Sequence, residues 1–258
     1  MNCKNCKNSL ETNFSFCPNC GAKVIHNRLT LKNLGTDFFA RYFNLENTLI
    51  KTILHLFYQP QLVIEGYING TRKKYLNPVS YLGLGITLSG LIVILIKKYS
   101  SKIDLNIINS GGKSAAMTTM FDFTMDYQAI ITIMLIPLMA IASWLSFQNK
   151  NYNFTERQIV FMYTITQYTL VSIIPSVVIL LFAPELYGTS TLYFLAFLYL
   201  YSAFVIKKIS NLNGVNYWAR LFLFFVIFTI LYLCLSTLIL ILLVVFSDIS
   251  IQDFAPQN

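Results

Sequence analysis

Four cysteines open the chain in a pattern with one obvious chemistry: Cys3, Cys6, Cys17 and Cys20 form Cys-x2-Cys-x10-Cys-x2-Cys, and Gly21 follows the last of them. A tight turn inside each close pair aims two thiolates at one point, and two such knuckles complete a tetrahedron around Zn2+. Four protein ligands leave no position for a reactive water, so the expected metal is structural. The competing reading is two disulfides. It requires an oxidising compartment, and the opening MNCKNC has neither the apolar core nor the small-residue cleavage site of an export signal.

The segment around this array is basic. Lys4, Lys7 and Lys23 would offset part of the charge of a zinc tetrathiolate, and His26 just beyond is not needed as a ligand. Phe14 and Phe16 are the aromatics available here, and both are expected to pack on the knuckles rather than stack on bases. That argues against a nucleic-acid partner. A module this small depends on its metal to fold, which leaves its exposed surface as the usable part.

Composition then says where the rest of the chain must live. Of 258 residues, 55% are hydrophobic and only 12% charged, and the mean hydropathy is +0.58. Those values place the chain among membrane proteins. Apolar runs at about 79–96, 129–147, 159–183, 187–206 and 221–246 are each near or above the length that crosses the hydrocarbon core. The expected fold is therefore an all-α integral membrane protein with about five transmembrane helices, preceded by a small four-cysteine zinc ribbon and amphipathic interfacial helices. Its divisions are a ribbon at 1–27, an amphipathic and basic region at 28–78, a five-helix membrane domain at 79–247 and an external tail at 248–258. Only Pro184, Glu185 and Leu186 separate the third and fourth spans, which predicts a tight helical hairpin.

The net charge of +8 is unevenly placed. With the N-terminus in the cytosol, fifteen of the Lys and Arg residues fall inside, and only Lys97, Lys98, Lys102 and Lys113 fall outside. This positive-inside bias predicts an inner-membrane orientation with the cysteines in reducing cytosol and the C-terminus, with Asp248 and Asp253, outside.

Between ribbon and spans, two amphipathic stretches recur at helical spacing. One runs over Leu31, Leu34, Phe38 and Tyr42; the other runs from about Glu46 to Tyr58, with Lys51, Thr52 and His55 on its polar side. Both are too short to span, so they either lie in the headgroup plane, the reading favoured here, or pack on the bundle. His55 reads as an ordinary exposed histidine. Pro60 ends the second stretch, Asn69-Gly70 marks a turn, and Arg72, Lys73 and Lys74 precede the Asn77-Pro78 entrance to the first span. Three adjacent cations at an anionic leaflet are worth on the order of 1 kcal/mol each, enough for a topology anchor, the reading favoured here, over a specific anionic-lipid site.

Inside the spans, the apolar runs carry no ionisable group in their central parts, which argues against proton-coupled transport. Polarity concentrates in the third span, where Gln167, Thr169, Ser172 and Ser176 form a candidate intramembrane site beside Pro175. Helix-packing hydrogen bonds and a cavity lining are both open to it. Gly83, Gly85, Ser89 and Gly90 offer a close helix contact, within one chain or between copies in a homo-oligomer. On the outer side, Met117, Met120, Phe121 and Met125 suggest a short amphipathic segment returning to the membrane. No paired carboxylates, nucleophile–histidine spacing, phosphate loop or open metal set appears, so no catalytic residue is assigned.

The CPNCG knuckle, Leu29–Leu34, Asp37–Glu46 and the spaced pattern Pro60, Ile64, Tyr67-Ile68, Gly70, Arg72, Tyr75, Pro78, Tyr81-Leu82 resemble an uncharacterised, Bacteroidota-type bacterial membrane family classed as a domain of unknown function. Glycine usually follows the proline there; Gln61 stands here. The five-span architecture also resembles the Yip trafficking proteins, in architecture only. The resemblances imply no activity. Two functional readings follow from the residues: a zinc-stabilised cytosolic platform for a protein partner or a membrane-organising role, and a transporter or pore for a small or lipidic solute.

Overall fold

The computed structural model describes residues 2–11, 14–21, 24, 48–103, 115–148 and 150–246, the side chains of 115–118 and 242–246 excepted. The Leu31–Tyr42 stretch, His26, Lys23 and the 248–258 tail lie outside these residues. The chain divides into two compact units, Met1–Glu46 and Asn47–Asn258.

The second unit is all helix among its described elements. Two short helices come first, α1 (Thr48–Tyr58) and α2 (Pro60–Ile68). The longer ones follow: α3 (Pro78–Tyr99), α4 (Ala115–Asp126), α5 (Gln128–Ser146), α6 (Phe154–Phe182), α7 (Tyr187–Ser210) and α8 (Gly214–Phe246). Five of these, α3 and α5–α8, are long and apolar enough to cross a membrane. The chain is thus a polytopic helical membrane protein with an N-terminal cysteine cluster.

The helix starts follow local chemistry. Asn77 caps α3 by accepting the Ser80 N–H at 2.8 Å, and Pro78 sits in the first turn, where its missing N–H costs nothing. At α6 a reciprocal capping box joins Asn153 and Glu156, each side chain accepting the other's backbone N–H at 2.8 Å. It starts α6 at Phe154, five residues before the apolar run, and so draws Arg157 into the helix. A single 3-10 turn, Pro184–Leu186, joins α6 to α7 as a tight hairpin.

The helix α3 packs most extensively on α6, and α5 on both α6 and α8. At the α3–α6 contact a Cβ on Gly85 would stand 2.9 Å from Thr166 Cγ2, so only glycine permits this approach. Nothing lies within 4 Å of a Cβ on Gly83 or Gly90. The Gly85–Ser89 face is therefore used within the chain. At the junction of α5, α6 and α8, Phe224 stacks on Phe161 with 5.8 Å between ring centroids and meets Phe147 edge-on.

The second amphipathic stretch is turned over relative to the sequence expectation. Helix α1 points Thr52 and Leu56 inward, both fully buried, and leaves Ile50, Leu54, Phe57 and Tyr58 exposed. Thr52 accepts the Leu76 N–H at 3.0 Å and donates to the Thr48 carbonyl at 2.6 Å. His55 is not an ordinary surface histidine: its Nδ1 shares a 2.6 Å hydrogen bond with the hydroxyl of buried Tyr75. The physical reason is that the inward side of α1 meets hydrogen-bonding groups of α6, α7 and the 69–77 loop as well as the apolar core, on which Leu49, Ile53 and Leu56 pack.

Candidate functional site

In the first unit the two knuckles are near copies. The Cys3 carbonyl accepts the Lys7 N–H at 2.9 Å, and the Cys17 carbonyl accepts the Gly21 N–H at 2.9 Å. The fifth residue of each turn is left-handed, φ 63° at Lys7 and φ 70° at Gly21, which folds each Cys-x2-Cys pair back on itself. The four Sγ atoms lie within 4.8 Å of one another, with Cys3–Cys20 and Cys6–Cys17 both 3.6 Å apart. An S–S edge of about 3.8 Å is what a tetrahedron with zinc–sulfur bonds of about 2.3 Å requires. At these separations the cysteines are free thiols rather than disulfides, and the set can hold a metal ion.

The electrostatics of the cluster are those of thiols waiting for a cation. Backbone N–H groups of Cys6 and Asn5 lower the Cys3 thiol below its ordinary value. The Asn8 N–H pulls Cys6 in the same direction, but Cys20, Cys17 and Cys3 beside it push it up to about 11. Four neighbouring thiolates are mutually repulsive without a positive centre, so metal binding here releases protons. Leu10, Cys3 and Cys17 make a small core that Phe14 and Val24 join. Phe16 does not pack as expected; it is 59% exposed.

The second arrangement lies in the bundle. A cavity of about 280 Å3 is formed by the later half of α3, the first half of α5, the later half of α6, the first half of α7 and the end of α4. All of these lie at the end of the bundle opposite Arg72–Lys74. Its polar lining comprises Ser89, Gln128, Thr132, Thr169, Ser172, Ser176 and Thr191; Tyr168, Tyr187 and Phe194 supply aromatic wall. Three of the four residues expected at an intramembrane site are thus brought together. Gln167 is not among them: it accepts from the Tyr81 hydroxyl and donates to the Ile53 carbonyl at 3.2 Å, joining α6 to α3 and α1.

Four of the lining hydroxyls spend their protons on their own helices, Thr191 on the Gly188 carbonyl at 2.6 Å. Ser172 donates to the Thr169 carbonyl at 2.8 Å, Thr132 to the Gln128 carbonyl at 2.8 Å, and Ser89 to the Ile86 carbonyl at 2.9 Å. What they offer a guest is therefore lone pairs. Apart from tyrosine phenols, no ionisable group lines the space among the described residues, so its chemistry suits a neutral molecule with hydrogen-bonding capacity.

Sequence alone marks Arg157 only as a loop cation. It is buried, and every N–H of its guanidinium finds an acceptor: the carbonyls of Tyr152, Ser143, Phe147 and Lys150 and the Ser143 hydroxyl, at 2.9–3.3 Å. It closes off the carbonyls that α5 leaves at its end. The Asn-x-x-Glu capping signature at Asn153 was the signal that could have placed it inside a helix. Nearby, Glu65 pairs with Lys150 and accepts from Tyr152 at 2.9 Å. Burial first, then that carboxylate, holds the Tyr152 hydroxyl above the ordinary phenol range, so it stays a donor. Arg72, Lys73 and Lys74 are exposed, Arg72 lying over the Tyr67 ring at 5.6 Å.

The family described as "Protein of unknown function (DUF3667)" matches residues 46–90. That stretch covers α1, α2, the basic loop and the first half of α3, and does not reach the cysteines. It contains Ile53, Leu56, Leu76, Tyr81 and Gly85, groups through which this part of the chain holds α6 and α7. The chain is similar to that family over this stretch. Comparison with curated proteins and with solved structures finds no match.

Proposed function

We propose that the chain is a non-enzymatic membrane protein whose bundle takes up a small uncharged or lipidic solute with hydrogen-bonding capacity. The single observation behind this reading is the pocket of about 280 Å3 lined by Thr169, Ser172 and Ser176, with no charged side chain among its described lining residues. The pocket is partly open, so a guest can enter it, and polar groups converging on a mostly apolar hollow are the usual form of a ligand site. In this reading the ribbon and Arg72–Lys74 face the cytosol of a bacterial inner membrane, as the positive-inside bias implies. The test is transport by the full chain in liposomes, with glycerol shrink–swell for a small solute and dithionite access to a fluorescent headgroup for a lipid. Either rate should exceed that of Ser176→Phe, which fills the cavity. Rates equal to empty vesicles in both assays would sink the reading.

A second reading is favoured by the ribbon. Its thiols are preset for a structural Zn2+, and Phe16 is left exposed beside them, as suits a cytosolic platform for a protein partner or a membrane-organising role. Pull-down with the full chain and with Cys17→Ser/Cys20→Ser separates the two: loss of a specific partner supports the platform, whereas identical partners dismiss it.

A further inference from the structure

The helical pair α1–α2 is built for hydrocarbon on one side and protein on the other. We infer that it is a re-entrant hairpin: it enters the bilayer from the face bearing Arg72–Lys74, turns at Tyr58–Pro60 and returns to the same face. Its outward surface is then seated against acyl chains of that leaflet.

Apolar surface on both sides is the first ground. The outward residues Ile50, Leu54, Phe57, Tyr58 and Leu62 are 37–72% exposed, while Leu56, Val63 and Ile64 are fully buried and Leu49 and Ile53 pack on the same core. In water this arrangement would leave one of two apolar sides bare, unlike a surface helix. Facing lipid, it is the expected one.

Depth is the second. The Leu56 carbonyl accepts from Tyr201, buried in α7, and the Ile53 carbonyl accepts from Gln167, buried in α6. Tyr201 lies seven residues before Lys208 on α7, or about 10 Å along the axis at the helical rise. The turn therefore sits well below the level of the basic residues, within a half-core of about 15 Å. From Thr52 to Ile64 the hairpin carries no Asp, Glu, Lys or Arg, and its bounding charges, Lys51 and Glu65, stand away from the turn. Glu65 is held at the base by Lys150 and Tyr152 in the α5–α6 connection.

Backbone satisfaction is the third. A non-spanning element is tolerated at membrane depth only when its broken backbone is closed by protein. The break at Gln59 places a proline at position 60, so the Leu56 carbonyl lacks its helical donor, and Tyr201 supplies one at 3.1 Å. Gln59 N–H donates to His55 at 2.7 Å, Leu62 N–H donates to Gln59 at 3.0 Å, and Pro60 is itself buried.

Depth-dependent fluorescence quenching tests this. The full chain, with Trp144→Phe and Trp218→Phe to remove its own indoles, carries Tyr58→Trp, Leu54→Trp or Ile50→Trp one at a time. It is reconstituted in phosphatidylcholine vesicles containing lipid brominated either near the headgroup or deep in the chain. All three positions are exposed, so the fold is kept. The expected result is a blue-shifted Tyr58→Trp emission quenched most by deep bromines, with the quenching maximum moving toward the headgroup from Tyr58→Trp through Leu54→Trp to Ile50→Trp. Equal shallow quenching at all three would mean a helix lying in the headgroup plane and would overturn the hairpin. Quenching by aqueous acrylamide would place it in water, and protection from both quenchers would place it under another protein; either also overturns it.

Discussion

Tyr201 gives its hydroxyl to the Leu56 carbonyl at 3.1 Å, in the interior of the bundle and 145 residues away along the chain. The carbonyl is free because its helical donor would be the nitrogen of Pro60, which has no hydrogen. A side chain of α7 thus completes the backbone of α1. Tyr201→Phe keeps the ring packing and leaves the carbonyl alone. Interhelical hydrogen bonds in membranes are modest, so a loss of about 0.5–2 kcal/mol is expected. The check is thermal unfolding of the purified full chain, read beside Tyr199→Phe, whose hydroxyl meets only Thr229.

The Gly85–Thr166 contact gives a pair of opposite signs. Gly85→Ala forces a Cβ to 2.9 Å from Thr166 Cγ2 and should cost about 1–3 kcal/mol. Gly83→Ala meets nothing and should be silent. Thr166 Oγ1 is buried without a partner, so Thr166→Val should leave stability unchanged or raise it, by up to about 1 kcal/mol. Thr166→Ala should rescue most of the Gly85→Ala loss. Melting temperatures of the single and double variants measure all four.

Arg157 satisfies carbonyls rather than a carboxylate, and geometry rather than charge decides its value. Arg157→Lys keeps the charge but has three donors for five acceptors, and its ammonium is poorly shaped for them. A loss of about 2–4 kcal/mol is expected. It would appear as a lower yield of folded protein and as proteolysis in the α5–α6 connection.

Lys7 occupies the left-handed position that Gly21 fills in the other knuckle. Lys7→Gly should tighten metal retention by up to about 1 kcal/mol, and Gly21→Lys should weaken it by a similar amount. Competition with a chromogenic chelator reads both. Because ligation displaces thiol protons, zinc affinity falls as the pH is lowered, for the wild type and both variants alike.

Much of the architecture was legible because its signals are local. Hydropathy over some twenty residues marks a span without knowledge of its neighbours, and the two Cys-x2-Cys pairs announce a metal set by spacing alone. The readings that changed depended on partners distant in sequence. Thr52 and His55 look solvated until Leu76 and Tyr75 are seen beside them. Gln167 shares a polar run with Thr169, Ser172 and Ser176, yet a 100° step per residue turns it toward Tyr81 and Ile53 while the others face the cavity. Arg157 seemed a loop cation because hydropathy places a helix start by its first apolar residue, whereas the Asn153–Glu156 cap places it earlier.

The cavity carries the account, and photolabelling tests it most directly. The full chain in vesicles is irradiated with a diazirine-bearing medium-chain alcohol, a neutral amphiphile with one hydrogen-bond donor, and the adducts are mapped by peptide mass spectrometry. Adducts are expected on cavity residues such as Met125, Tyr168 and Tyr187, lost in Ser176→Phe while the helical circular dichroism is unchanged. Labelling that Ser176→Phe leaves untouched, or that concentrates on exposed α8 residues such as Phe222 and Ile230, would contradict it.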